Sequence, residues 1–137
     1  MQNSIHIDYD VPIEMRDGVK LRADIYKPGD NQKHPAILFR SYNRMYGRRM
    51  LLLYDLIHAG YAFVNSDLRG RGASEGEWDP SKNFVVEGPD GYDTVEWIAS
   101  QPWCDGNVGM IGASHVAFFQ WMTAIERPPH LKAIAPW

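Results

Sequence analysis

The chain has 137 residues, of which 45% are hydrophobic, 12% aromatic and 23% charged, a composition typical of a folded globular domain. Its 14 lysines and arginines stand against 17 aspartates and glutamates, so a formal charge of −3 offers no broad basic surface for nucleic acid or anionic lipid. A single cysteine, Cys104, excludes an internal disulfide and a zinc site built from several thiols. We therefore predict a protein with no cofactor, no metal and no nucleic-acid partner.

The sequence also argues against a membrane segment. It contains no apolar run of roughly 18 residues, the length that a transmembrane helix needs. Residues 1–10 alternate polar and apolar side chains, whereas a signal peptide has a basic stretch followed by an apolar one. We predict a soluble, cytoplasmic protein without a membrane partner.

The first predicted element is a β-hairpin. Residues 6–15 and 20–26 alternate apolar and polar side chains, which is typical of strands with one buried face. Asp17 and Gly18 lie between them and form the dipeptide favoured in a tight primed turn.

Strands and helices then alternate to the end of the chain. The continuously apolar runs suit strands that are buried on both faces of a parallel sheet, and they comprise residues 36–39, 61–64, 108–111 and 132–135. The segments of helical length between them are residues 48–59, 89–100 and 115–125, each followed by glycine or proline. We predict one α/β domain over residues 1–137, in which an antiparallel hairpin is followed by βαβ units in a mostly parallel sheet.

The segment with the clearest chemistry is Gly112-Ala-Ser114, between a predicted strand and a predicted helix. A serine in such a tight turn presents its hydroxyl above the sheet, and the backbone N–H of His115 faces the place where an oxyanion would form. A serine nucleophile also needs a histidine base that is oriented by an acid. The alternative is a serine that merely N-caps the helix, and the strict five-residue motif would have glycine where this chain has Val116.

Three segments resemble a known family. They are Asp67-Leu-Arg-Gly-Arg-Gly-Ala-Ser-Glu-Gly76, Trp103-Cys-Asp-Gly-Asn-Val-Gly109 and Leu131-Lys-Ala-Ile-Ala-Pro136, which occur in this order around the serine turn. The chain resembles the X-Pro dipeptidyl-peptidase class of α/β-hydrolases, which includes cocaine-esterase-like acyl hydrolases. The resemblance implies that the chain is the N-terminal part of an α/β-hydrolase fold.

The resemblance also implies roles for individual residues. Ser114 matches the acylated nucleophile, and the N–H of His115 matches one oxyanion donor, although the family usually has tyrosine there. Ala117 stands where the family usually has glycine. The second donor in the family is a tyrosine hydroxyl in an Arg-x-Pro-Tyr loop. Tyr42 is the best match, in a segment one residue shorter and without the proline, and Tyr46 is the alternative.

In the family the catalytic aspartate and histidine follow later strands, beyond the equivalent of Trp137, as do a helical cap and a jelly-roll domain. We therefore expect that residues 1–137 lack a complete triad. The last strand, residues 132–135, would then be a sheet edge, which the remainder of the enzyme or a second copy of the chain would have to cover.

Two functional hypotheses follow. The first is a serine hydrolase, an acyl esterase or X-Pro-type peptidase, that acts on a small ester or peptide through an acyl-enzyme on Ser114. The alternative is a non-catalytic, truncated or split relative that acts as an interaction or oligomerisation module.

Further expectations concern the loops and the aromatic residues. We expect Asp67 and Arg69 to pair with neighbours and shape the glycine-rich loop after the predicted strand at residues 61–64. The basic residues around Tyr42 are expected to form a solvated loop and helix start, the alternative being a cluster that attracts an anionic substrate group. They are Arg40, Arg44, Arg48 and Arg49. Core positions are expected for Trp97, Trp103 and Trp121.

Overall fold

The computed structural model describes residues 4–44 and 50–137. The strands are β1 (Ile5–Glu14), β2 (Lys20–Pro28), β3 (His34–Ser41), β4 (Ala62–Asp67), β5 (Cys104–Gly112) and β6 (Leu131–Pro136). The helices are α1 (Met50–His58), α2 (Asn83–Ser100) and α3 (His115–Ile125). No helix in the described part of the chain is long and apolar enough to span a bilayer.

The described strands form one mixed sheet in the order β1-β2-β4-β3-β5-β6. Strands β3 to β6 are parallel to their neighbours within this group, whereas β1 pairs antiparallel with β2 and β2 pairs antiparallel with β4. The predicted α/β fold is confirmed, and so is the edge position of β6 within the described sheet. Every residue of central β4 is buried, whereas none of β6 is, because only the central strands are covered on both faces.

The N-terminal hairpin is confirmed, but the predicted primed turn is wrong. The N–H of Gly18 donates to the Met15 carbonyl at 2.8 Å, and the N–H of Met15 donates to the Val19 carbonyl at 2.8 Å. Gly18 has φ 84°, whereas Asp17 is not in the left-handed region that a primed turn requires at both positions. The loop is therefore a three-residue connection with a glycine bulge, in which Asp17 is free to use its carboxylate for other contacts.

Helix α2 begins earlier than predicted, at Asn83, and contains Pro89 in its interior. Proline cannot donate the hydrogen bond that its position would make, so the sequence favours a start at residue 89. The structure shows that the helix continues through the proline. For α1, the predicted first residues Arg48 and Arg49 lie outside the described residues.

Buried side chains cover both faces of the sheet. One cluster includes Val95 and Ile98 of α2, and the other includes Leu53 and Ile57 of α1. Trp97 and Trp103 pack against the first cluster, but the core position predicted for Trp121 is wrong, because its side chain is 56% exposed. Helix α3 instead turns the side chains Phe119, Gln120 and Thr123 inward.

Candidate active site

Ser114 occupies a strained turn between β5 and α3. Its backbone has φ 58° and ψ −124°, a conformation that non-glycine residues rarely adopt. The residue is exposed, and its side chain makes no capping hydrogen bond to α3. The N-cap alternative therefore does not account for this serine, whereas a serine presented on a sharp strand-to-helix turn fits the geometry of a nucleophile.

Gly112 is required by the way this turn packs. Its φ is 147°, and a β-carbon there would lie 2.1 Å from Val116 Cγ1. The Val116 side chain thus occupies the space that the missing side chain leaves. This contact explains how the turn accommodates valine where the strict motif has glycine.

Gln120 connects the Ser114 turn to strand β6 through hydrogen bonds. The sequence analysis did not predict this role. Its Nε2 donates to the Gly112 carbonyl at 2.9 Å, and its Oε1 accepts a hydrogen bond from the Ala135 N–H at 3.0 Å. The Ser114 N–H donates to the Trp137 carbonyl at 2.9 Å. The sequence did offer a signal, namely a glutamine in the middle of a mostly apolar helix. Such a side chain needs internal hydrogen-bond partners once it is buried, and Gln120 is fully buried.

An open cleft of about 680 Å³ lies beside the turn. It is lined by Tyr42, Arg71, Trp78, Pro80, Ser114, His115, Phe118 and Phe119. The three residues predicted from the sequence, Ser114, His115 and Tyr42, thus meet at one site. They do so because Tyr42 follows β3 and Ser114 follows β5, and the carboxyl ends of adjacent parallel strands lie at the same edge of the sheet. Tyr46 lies outside the described residues.

Tyr42 is embedded in aromatic contacts at the cleft wall. The centre of its ring is 4.9 Å from that of Trp78, 5.5 Å from that of His115 and 5.7 Å from that of Phe119, all with edge-to-face geometry. Such contacts restrict the orientation of the ring. The His115 ring packs against Tyr42, and no hydrogen bond joins it to the Ser114 hydroxyl in the described structure.

The segment that carries Tyr42 is held by buried ion pairs, so the predicted solvated basic cluster is wrong for Arg40 and Arg44. Arg44 Nη1 lies 2.5 Å from Asp24 Oδ1, and Arg44 Nε lies 3.0 Å from Asp67 Oδ2. Arg40 donates from Nη2 to Glu87 Oε2 at 2.9 Å. Burial raises the pKa of Glu87, and the Arg40 charge opposes that shift.

The predicted support from Asp67 and Arg69 is confirmed. Asp67 also accepts hydrogen bonds from the N–H groups of Arg44 at 2.6 Å and Ala73 at 3.0 Å. Arg69 binds Asp90 through two hydrogen bonds of 2.8 and 2.7 Å and pairs with Asp17 at 2.8 Å. Hydrogen bonding to Arg69 lowers the pKa of Asp17. These contacts fix the glycine-rich loop between β4 and α2 at the cleft wall.

The backbone N–H of His115 lies at the end of the cleft where α3 begins. His115 is the first residue of α3, so its N–H has no carbonyl partner within the helix and lies at the positive end of the helix dipole. Among the five histidines, only His115 lines the cleft. His34 binds Asp30 and His130 binds Glu96, away from Ser114.

Comparisons with known proteins identify the family of this chain. The family model described as X-Pro dipeptidyl-peptidase (S15 family) matches residues 17–137. Cocaine esterase from Rhodococcus sp. (strain MB1 Bresler) is 40% identical over 131 residues, which cover 92% of this chain and 22% of that protein. A putative serine esterase from Mycobacterium bovis is 33% identical over 150 residues, which cover 90% of this chain and 23% of that protein.

Solved structures show the same fold. A CocE/NonD family hydrolase from Staphylococcus aureus superposes with a TM-score of 0.82 at 31% identity, covering 95% of this chain and 27% of that one. An α-amino acid ester hydrolase gives a TM-score of 0.80 at 28% identity, covering 98% of this chain and 26% of that one. The chain thus spans about a quarter or less of these relatives' length. With the family model covering most of its residues, the chain belongs to the X-Pro dipeptidyl-peptidase (S15) family of hydrolases.

Proposed function

We propose that this chain carries the nucleophile and the oxyanion hole of a serine hydrolase that forms an acyl-enzyme on Ser114. The observation that supports this most strongly is the strained backbone of Ser114, which presents an exposed side chain at a cleft shared with Tyr42 and His115. Strain of this kind persists only where the surrounding structure holds it in place, and here Gln120 and Val116 do so.

In the proposed reaction a histidine base removes the Ser114 hydroxyl proton while Oγ forms a bond to the substrate carbonyl carbon. The carbonyl oxygen becomes an oxyanion, which accepts hydrogen bonds from the His115 N–H and the Tyr42 hydroxyl. Collapse of this intermediate breaks the bond to the leaving alcohol or amine, which takes the proton from the base. Water then repeats the sequence at the acyl carbon and releases the acid. We propose that the histidine and its orienting aspartate come from sequence beyond residue 137.

Two substrate classes fit this proposal, small acyl esters and X-Pro peptides. The relatives at 40% and 33% identity are called esterases, whereas the family description names a dipeptidyl-peptidase. A cleft whose walls are largely aromatic suits an apolar acyl or leaving group. Parallel assays with 4-nitrophenyl acetate and alanyl-prolyl-4-nitroanilide separate the two classes.

The proposal is tested by treating the full-length gene product with a fluorophosphonate probe and locating the adduct by peptide mass spectrometry. We expect one adduct, on Ser114, and parallel loss of labelling and ester hydrolysis in Ser114→Ala. Ser100→Ala is the matched control, because Ser100 is an exposed serine at the end of α2. An adduct on a different serine, or hydrolysis that survives in Ser114→Ala, would contradict the assignment.

The alternative proposal is an interaction or oligomerisation module. The observation that favours it is the edge strand β6, which has no buried residue and is followed by Trp137 with 65% of its surface exposed. Unpaired strand edges readily pair with other chains. A stable dimer in light scattering, without labelling of Ser114 by the probe, would favour this module over the hydrolase.

A further inference from the structure

Arg71 places a positive charge in a cleft whose walls are mainly the rings of Tyr42, Trp78, Phe118 and Phe119. Among the described side chains that line the cleft, only Arg71 is permanently charged. A guanidinium remains protonated at any physiological pH.

This charge has no counter-ion within the described structure. Arg71 takes part in none of the ion pairs formed among residues 4–44 and 50–137, and its buried Nε lacks a hydrogen-bond partner. Nearby arginines differ in this respect. Arg69 is paired with Asp90 and Asp17, and Arg44 is paired with Asp24. Carboxylates thus neutralise Arg44 and Arg69, whereas no carboxylate of the described residues pairs with Arg71.

The position of Arg71 is fixed on both sides. The residue lies between Gly70 and Gly72, with φ 64° and 54°. A β-carbon at Gly70 would lie 2.2 Å from the backbone nitrogen of Trp78, and one at Gly72 would lie 2.3 Å from the Asp67 carboxylate. These close contacts hold the loop against the cleft and so fix the backbone position of Arg71.

Aromatic contacts orient the guanidinium. Arg71 Cζ lies 5.5 Å from the centre of the Tyr42 ring and 5.5 Å from that of Trp78. Both rings lie within cation–π range of the guanidinium. No ion pair of the described residues uses its terminal Nη groups, which are the donors left for a ligand. The His115 ring centre is also 5.5 Å from that of Tyr42, so Arg71 Cζ and the His115 ring are at most twice this distance apart. Arg71 and Ser114 also line the same cleft, so a charged group on a substrate bound at Ser114 shares that cleft with the guanidinium.

We propose that Arg71 is an anion-binding subsite that selects substrates with a carboxylate a few bonds from the scissile carbonyl. The guanidinium edge and a carboxylate match in a two-hydrogen-bond geometry, which is both strong and directional. This proposal rests on the proposed hydrolase function, because it names the substrate class of the same cleft.

The test uses pairs of esters that differ only in charge. One pair is 4-nitrophenyl hemisuccinate and the same compound with its free carboxyl methylated, which place the charge on the acyl side. The other is 4-acetoxybenzoate and its methyl ester, which place it on the leaving side. For each pair the readout is the ratio of kcat/KM for the anionic ester to kcat/KM for the neutral one. Any general effect of a substitution on catalysis cancels in this ratio.

We expect the full-length enzyme to prefer the anionic ester in at least one pair, and Arg71→Gln to lower that ratio roughly 10- to 100-fold. Arg71→Lys should retain part of the preference, and the preference should weaken with added salt. Lys33→Gln is the matched control, since it removes an exposed positive charge next to the start of β3, at the opposite end of the strand from Tyr42. A purely structural role of Arg71 would change both esters equally and show no dependence on salt.

The outcomes separate this proposal from the one on which it rests. If Ser114 hydrolyses the neutral esters but the ratio is the same in Arg71→Gln, the anion subsite is wrong and the hydrolase function stands. If no ester is hydrolysed, calorimetric binding of 3-phenylpropanoate and of its methyl ester decides the matter. Tighter binding of the carboxylate that is lost in Arg71→Gln supports the subsite, and equal or absent binding overturns it.

Discussion

Arg40 and Glu87 form an ion pair from which solvent is excluded. Their side chains are fully buried, Arg40 Nη2 lies 2.9 Å from Glu87 Oε2, and Arg40 Nη1 also donates to the Glu87 carbonyl at 2.9 Å. The pair joins the end of β3, which leads into Tyr42, to α2. It therefore anchors the Tyr42 segment, which forms one wall of the cleft, to helix α2.

Removing one member of this pair should destabilise the protein strongly. We expect Arg40→Met to lower the free energy of unfolding by about 3–5 kcal/mol, because it leaves a buried carboxylate without its cation. The double variant Arg40→Met with Glu87→Leu should cost less than Arg40→Met alone, since it removes both charges. Urea-induced unfolding measures the free energy of unfolding of the wild type and of both variants. Arg16→Met is the control, because the exposed Arg16–Asp93 pair should contribute less than about 1 kcal/mol.

Tyr42→Phe should impair catalysis with little effect on folding. The phenylalanine ring keeps the contacts with Trp78, His115 and Phe119, but it cannot donate a hydrogen bond to the oxyanion. We expect kcat for 4-nitrophenyl acetate to fall about 10²- to 10³-fold while KM changes little. Tyr54→Phe, at a half-exposed tyrosine of α1, serves as the control. An unchanged kcat would show that Tyr42 is not the oxyanion donor, and Tyr46 would then be the remaining candidate.

Gln120→Glu should make stability depend on pH. A carboxylate can still accept from the Ala135 N–H, but it cannot donate to the Gly112 carbonyl, and burial raises its pKa in the folded state. The variant should therefore be close to the wild type below about pH 4, where the introduced acid is protonated, and lose about 2–4 kcal/mol as the pH rises to 7. Chemical unfolding at several pH values measures this. A loss that is the same at pH 4 and pH 7 would mean that the amide donor is unimportant.

The Asp17–Arg69 contact should stabilise the fold only where Asp17 is ionised. Hydrogen bonding to Arg69 lowers the pKa of Asp17, so the folded state favours the carboxylate. The contribution should be present above about pH 4, the ordinary aspartate value, and disappear as the pH falls through the lowered one. Asp17→Asn should cost a measurable amount of up to about 1 kcal/mol at pH 7, because the side chain is half exposed, and progressively less as the pH falls. Equal stability of variant and wild type at pH 7 would contradict the assignment.

Local patterns predicted most of the architecture. Alternation in residues 6–15 and continuous apolar runs in the central strands are direct consequences of which faces are buried, so the hairpin and the parallel strands were foreseen. The turn type and the start of α2 were not. In the hairpin turn, Asp17 pairs with Arg69, which lies far from it in sequence, and α2 continues through a proline that ordinarily marks a helix start.

Sequence alone determined the fold class, the position of Ser114 after a strand and the family resemblance, because these depend on residue order and spacing. Only the tertiary structure placed Tyr42, Ser114 and His115 around one cleft, since they meet through the parallel pairing of β3 and β5. The same holds for the arginines. Nothing in the sequence indicates which of Arg40, Arg44 and Arg71 is paired with a carboxylate. Packing decides this, because it places a carboxylate beside the first two and aromatic rings beside the third.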